Sequence, residues 1–395
     1  MKIVFVIPSV QLYGGIRLVL EVSDRLVDMG HEVKLVYPVD LTSTPRGRVE
    51  RMKDRVRIAR YRMNRYPREV IDWHDCAADV VKVPTMDHKF MPDADVVVAT
   101  SWETAEAVAQ YPPSKGLKTY LIQGDESVWS QYPERAMETY RKNWCAITIS
   151  TFLKERLYDS YGLDCEGPLV CGVNHQQFKD VGGRNNGRIR IGTLFSPWWL
   201  KGFKDGLKAV DEVVRRGADV ELLAFGRDYV EKYSSYEFPC RTILNFFPEQ
   251  SRMCELYSSC DIWMSSSRFE GGGPMPSQEA AACGCAVVTT DVGAMKDCFE
   301  HGKSALISPP SEPVLLADNL MRLIRDPSLR SNIASHGKAR IADFTWQRFA
   351  EGFIEILNNR VPGKGTKKGS RSVFKRGSVR SDTDSQRGRE TSSVH

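Results

Sequence analysis

The chain has 395 residues, 42% hydrophobic and 27% charged, a length at which one hydrophobic core ordinarily gives way to two domains. No apolar run approaches the roughly 20 residues that span a bilayer, and the opening Met1–Val10 lacks the apolar core and cleavage site of a signal peptide, so a cytoplasmic protein is expected. The net charge of +5 is unevenly placed: residues 361–395 hold nine Lys/Arg against three acids and carry +6, leaving the body at −1.

In chain order, Ile3–Ile7 is a continuous β-branched apolar run suited to a buried parallel strand. Pro8–Gly15 is a loop ending in Gly14-Gly15. Leu18, Val22, Leu26 and Met29 then recur at helical spacing and Gly30 terminates the helix. Glu32–Tyr37 is the second strand, so the opening is a β-α-β unit. Alternation continues with strands at Ala94–Thr100, Lys118–Gln123 and Ala146–Ile149 and helices at Glu103–Gln110, Ala136–Lys142 and Phe152–Tyr161. Ser150 is the expected N-cap of the last of these and Gly162 its end. Asp180–Arg188, rich in Gly and Asn, reads as an interdomain linker.

A second series follows, with strands at Ile189–Leu194, Val220–Phe225, Asp261–Met264 and Ala286–Thr290. Its helices are Gly206–Arg216, Arg252–Ser259, Gln278–Ala282 and Pro313–Ile324, and Thr345–Leu357 is a final helix. Two consecutive α/β series without a run of antiparallel strands predict two doubly wound domains, one over 1–180 and one over 181–344. Residues 345–360 add the closing helix, and 361–395 is a basic tail whose composition predicts disorder. Ten cysteines without CxxC spacing and seven dispersed histidines give no zinc signature, so no metal site is predicted and the cysteines read as buried apolar residues.

The segment from Glu270 through Gly271, Gly272, Gly273, Pro274 and Met275 to Glu279 stands out. It follows an apolar strand and opens a helix with Pro276 in its first turn and Gly284 at its end. A strand, a glycine turn and a helix N-terminus leave backbone N–H groups free for an anion. Carboxylates repel phosphate, so the two flanking acids suit sugar or ribose hydroxyls. A bare glycine triplet is ordinarily a surface turn; the flanking acids and the strand–turn–helix setting favour a ligand.

Asp261–Gly293 resembles the signature of glycosyltransferase family four, retaining enzymes of GT-B fold: an acid, a glycine turn, proline and a second acid before a small-residue helix. The family usually spaces the acids by seven residues, and here eight intervene. Gly14-Gly15, the Gly172-Val173-Asn174 segment followed by Phe178, Lys201-Gly202 and Phe344-Thr345-Trp346 resemble further parts of the same pattern. The arginine that often precedes the lysine is missing from Thr193–Lys201, where Ser196 or a backbone amide would contact phosphate instead. The histidine often found near the end of a first-domain strand is missing as well, and Gln123 or Asp125 stands there.

The resemblance implies a GT-B architecture with the active site in the cleft between its domains, and transfer of a sugar from a nucleoside diphosphate to a hydroxyl acceptor without metal or resident cofactor. Lys201, Glu270 and Asp125 are the implied catalytic residues. Gly14, Gly15, Ser196, Lys201, Glu270, Gly271, Gly272, Gly273, Met275 and Glu279 are the implied donor-binding set. Lys201 would neutralise the leaving diphosphate, Glu270 would grip the donor sugar and Glu279 the ribose. The acceptor would be a glycan or a lipid-linked precursor. A non-catalytic nucleotide-sugar-binding subunit and an epimerase on the same fold are the alternatives. Ten Lys/Arg between Arg46 and Arg68, interleaved with Val56, Ile58, Tyr61 and Tyr66, form either a solvated face or a surface for anionic headgroups at the inner face of the membrane. The basic tail has the same two readings, and no nucleic-acid-binding motif accompanies it.

Overall fold

The computed structural model describes residues 1–39, 41, 52–53, 55–56, 58–59, 71–184, 187–226 and 236–361. The basic tail beyond residue 361 and most of the basic stretch 46–68 lie outside these residues. Among the described residues, β1 (Lys2–Val6), β2 (Glu32–Pro38), β3 (Asp79–Val83), β4 (Val96–Ala99), β5 (Leu117–Ile122) and β6 (Cys145–Thr148) form one sheet in the order β3-β2-β1-β4-β5-β6. A second sheet contains β7 (Ile189–Leu194), β8 (Val220–Gly226), β9 (Arg241–Phe246), β10 (Ile262–Ser265), β11 (Ala286–Thr290) and β12 (Leu306–Ser308), ordered β12-β11-β10-β7-β8-β9. Every pairing is parallel.

Such strands read as continuous apolar runs because each face is covered by helices. Ile3 and Phe5 of β1 enter one core cluster, whereas Val4 and Val6 enter another on the opposite face. In β10, Ile262 and Met264 face one cluster and Trp263 the other. The helix Gly14–Asp28 buries Ile16, Leu18, Val19, Leu20, Val22 and Leu26, and Gly30 follows it at φ 84°. Ser150 caps Thr151–Tyr161 by accepting from the Leu153 amide at 3.0 Å.

The structure adds β3, β9, β12 and the helices Met295–Cys298 and Pro327–Ile341 to the elements read from sequence. The three strands lie at sheet edges, and β3 and β9 are largely half-exposed, which thins their apolar pattern. Pro327–Ile341 buries only Ile333, Gly337 and Ile341, too narrow a stripe to register as helical periodicity. Eight cysteines are buried, and all ten are unpaired.

The chain passes into the second domain at Gly172, ahead of the boundary expected at 180: Cys171 belongs to the first core, Val173 and Phe178 to the second. It returns at Thr345, and the helix Trp346–Arg360 packs against Gly14–Asp28, with Phe353 stacked on Phe5 at 5.8 Å. The two crossings touch. Val173 N–H donates to Phe344 O at 3.0 Å, and a Cβ on Gly172 would lie 2.2 Å from Trp346 N.

Candidate active site

Strand order reverses between β1 and β4 in the first sheet and between β7 and β10 in the second. Ligands of open parallel sheets bind outside the carboxyl ends of strands at such points. Gly14 and Gly15 follow β1, Ser196 and Lys201 follow β7, and Glu270 follows β10, so the residues expected to bind donor leave the sheets at the two reversals.

Local packing places Lys201. Gly202 adopts φ 60°, and a Cβ there would lie 2.0 Å from Ser266 O, so only glycine lets this loop close onto the end of β10. Ser266 Oγ donates to Gly202 O at 3.0 Å, and Arg268 makes paired bonds of 2.6 and 2.9 Å to Asp205. Lys201 Nζ thereby reaches Glu270 Oε1 at 2.6 Å, and Ser267 Oγ donates to the same oxygen at 2.8 Å. Both side chains keep some solvent access, 25% for Lys201 and 17% for Glu270. Beside them lies a cavity of about 30 Å³, lined by both polar and apolar residues, Ser265, Ser266 and Ser267 as well as Leu194, Trp263 and Met264, room for one or two waters. Ser196 does not line it; its hydroxyl accepts from the Trp198 amide at 3.3 Å.

The glycine turn packs directly against the first domain. A Cβ on Gly271 would lie 2.3 Å from Gly124 Cα, on Gly272 2.4 Å from Ile149 Cδ1, and on Gly273 2.3 Å from Cys171 Sγ. The glycines therefore admit the backbone and side chains of the first domain. Ser150 Oγ donates to Gly271 O across this seam at 3.2 Å, and Gln278 Nε2 donates to Cys171 O at 2.8 Å. Gly14 begins its helix rather than ending a loop, and its Cβ position is 3.2 Å from Met275 Cε; that of Gly15 is 2.9 Å from Gln123 Oε1. Tyr13 caps this helix without a side-chain bond, so its first amides lack that partner.

Glu279, on the helix Met275–Ala282, is 4% exposed. Its Oε1 accepts from Arg17 Nη1 at 2.6 Å and its Oε2 from Tyr257 O–H at 2.9 Å. Arg17 comes from the first domain and also lies 5.3 Å over the Phe178 ring. Burial works against its charge, but Glu279 and Glu21 more than offset this and hold it above its ordinary value. Burial, followed by the neighbouring Glu279, pushes the Tyr257 phenol well up.

Asp125, expected among the catalytic residues, is held inside the first domain. It is 0% exposed, and its oxygens accept from Arg156 Nε at 2.7 Å, from Ser127 Oγ at 2.5 Å and from Tyr161 O–H at 3.3 Å. Its work is to fasten the turn after β5. The adjacent Glu126, which sequence reasoning passed over, is the perturbed group. Burial, with Glu103 second, pushes its carboxyl up to about 8, although Trp102 N–H donates to it at 2.6 Å and Tyr120 O–H at 3.2 Å.

Arg17, Tyr257 and Ser267 were also missed. Arg17 and Glu21, charges one turn apart on the apolar face of the first helix, were the available signal. Tyr257 gave none, because its helix Met253–Ser258 shows no sign in sequence of which carboxylate it meets.

Residues 188–340 match the family model described as "Glycosyl transferases group 1". O-antigen biosynthesis protein RfbC of Myxococcus xanthus is 26% identical over 281 residues, which are 69% of this chain and 21% of that protein. N,N'-diacetylbacillosaminyl-diphospho-undecaprenol alpha-1,3-N-acetylgalactosaminyltransferase of Campylobacter jejuni is 24% identical over 40% of this chain and 42% of its own. The matches thus span a fifth to under a half of these relatives' lengths. Among solved structures, sucrose-phosphate synthase of Thermosynechococcus elongatus superposes with a TM-score of 0.69 at 14% identity, over 91% of this chain and 98% of that one. HepE of Anabaena in complex with UDP-glucose gives 0.66 at 16% identity, over 91% and 100%. The fold is GT-B.

Proposed function

We propose that this GT-B chain, with the group 1 match in its second domain, is a retaining glycosyltransferase of family four that uses a nucleoside-diphosphate sugar. The observation that carries the reading is the Lys201–Glu270 pair at 2.6 Å, set at the β7/β10 reversal inside the matched segment. One cation and one carboxylate side by side suit a substrate with a diphosphate next to a sugar. Lys201 then meets the phosphate, whose charge grows as the bond to C1 breaks, and Glu270 accepts from sugar hydroxyls. Glu279 takes the ribose. The helix Gly14–Asp28 has no side-chain cap to occupy its leading amides.

In the proposed reaction the C1–phosphate bond breaks, the acceptor oxygen bonds C1 on the same face, and the departing phosphate oxygen takes the acceptor's proton. No resident metal or cofactor takes part. The acceptor is a glycan or a lipid-linked saccharide, in keeping with the names of the bacterial relatives. Among the described residues no helix is long and apolar enough to cross a membrane. Contact with such an acceptor is therefore proposed as peripheral, at the cytoplasmic face, through the basic stretch 46–68 or the tail.

Thermal unfolding with UDP, GDP, ADP, CMP and dTDP tests the reading, with UDP first because HepE binds UDP-glucose. A nucleotide at a hundred times its dissociation constant adds about 2.7 kcal/mol. One nucleotide should raise the midpoint, and Lys201→Ala should remove the shift. Binding without turnover would leave a nucleotide-sugar-binding subunit, and an epimer formed without acceptor would mark an epimerase. No shift with any nucleotide overturns the proposal.

A further inference from the structure

The carboxylate assigned to the ribose is sealed. Glu279 is 4% exposed and both its oxygens are engaged, one by Arg17 from the opposite domain. The glycine turn is pressed onto Gly124 and Ile149, and the Thr151 amide and hydroxyl donate to Asp297 across the seam at 2.9 and 2.6 Å. Only about 30 Å³ remains beside Lys201 and Glu270, an order of magnitude below the roughly 300 Å³ at which ligand clefts begin. A nucleoside diphosphate enters only when this seam parts, and Arg17 must then leave Glu279.

A second carboxylate waits for it. Glu21 lies one turn along the same helix, the i,i+4 spacing at which side chains meet. It is 5% exposed and accepts no hydrogen bond among the described residues. The charges acting on it are Arg17, Asp24 and Arg25 of its own helix and His74 from outside it. His74 is itself bonded to Asp24 at 2.7 Å and Arg25 to Asp28 at 2.9 Å, which leaves Arg17 as the cation placed to move.

We infer that Arg17 is a two-position latch, held by Glu279 when the donor site is empty and by Glu21 when donor ribose occupies Glu279. This rests on the proposed function, which assigns Glu279 to ribose. In the closed protein Arg17 competes with the ligand for one carboxylate, so donor affinity reports the difference between its two partners. Arg17 touches neither reacting atom and is a positioning residue. A merely structural arginine would weaken donor binding when removed. A competitor strengthens it.

The experiment is titration of the full chain with UDP and GDP, followed by calorimetry, for wild type, Arg17→Gln, Glu21→Gln and Lys201→Ala. Arg17→Gln should tighten nucleoside-diphosphate binding five- to tenfold. Glu21→Gln should weaken it about threefold or more, because the displaced guanidinium loses its refuge. Arg17→Lys keeps the charge without the forked geometry, and should bind two- to threefold tighter than wild type; it serves if the glutamine variant does not fold. Weaker or unchanged binding by the Arg17 variants overturns the latch. Loss of binding in Lys201→Ala alone bears on the catalytic site and leaves the latch to the other variants. If neither wild type nor Arg17→Gln binds any nucleotide, the glycosyltransferase reading fails. The latch is then judged by small-angle X-ray scattering: a larger radius of gyration for Arg17→Gln and Glu279→Gln supports it, and an unchanged radius overturns it.

Discussion

Replacing Glu126 by glutamine tests the one carboxyl in the first domain whose environment works hardest against its charge. Trp102 N–H at 2.6 Å and Tyr120 O–H at 3.2 Å both favour the carboxylate, as does its place at the start of the helix Trp102–Val108. Burial outweighs them and, with Glu103, pushes the group up to about 8 from 4.5. The folded chain therefore holds a proton here that the unfolded chain releases. A raised value stabilises the fold below the unfolded value of 4.5, and that contribution is lost as pH climbs through about 8. Between pH 5 and 8 the linkage integral comes to about 3–4 kcal/mol of lost stability. Urea unfolding of wild type and Glu126→Gln at half-unit intervals across this range isolates the effect, because every other titrating group is common to both. Wild type should fall by about that amount relative to the variant, and the variant should equal or exceed it at pH 8. Parallel pH profiles would refute the assignment.

Two further substitutions separate fold from chemistry. Asp125→Ala strands Arg156 and should cost about 3 kcal/mol, the lower part of the range for breaking a buried pair because Arg156 is 35% exposed; nucleotide affinity of the folded protein should not change, and an affinity loss at unchanged stability would return Asp125 to the active site. Phe353→Ala removes a fully buried ring stacked on Phe5 and should cost about 3–5 kcal/mol in chemical denaturation. A loss under about 1 kcal/mol would mean that the last helix is not part of the first core.

The two parallel sheets were legible because their central strands are apolar on both faces, as in Ile3–Ile7 and Ala286–Thr290. Among the edge strands only β6, buried along its length, was read; β9 is half-exposed, so its sequence alternates weakly. Lys201 and Glu270 were read as candidates because the chain pattern places each just beyond a central strand. Their pairing was not, since it depends on Gly202 folding back on Ser266. The closeness of the first domain to the glycine turn was not legible, because sequence shows that something must come close to Gly271–Gly273 without showing that it is the opposite domain. Arg17 was overlooked for a related reason. A cation on the apolar face of the first helix needs a carboxylate, and the one it meets lies 262 residues away.

The return of the chain to its first domain bears on how the protein is made. Trp346, Phe349, Phe353 and Leu357 complete the core that Ile3 and Phe5 begin, so the ribosome must deliver nearly the whole described chain before that core can close. At about 5–20 residues per second, the interval between emergence of Gly172 and of the last helix is on the order of tens of seconds. Throughout it, the groove on Gly14–Asp28 that receives Phe353 stays open to water. Of the two described domains, the one synthesised first is thus the last to be finished.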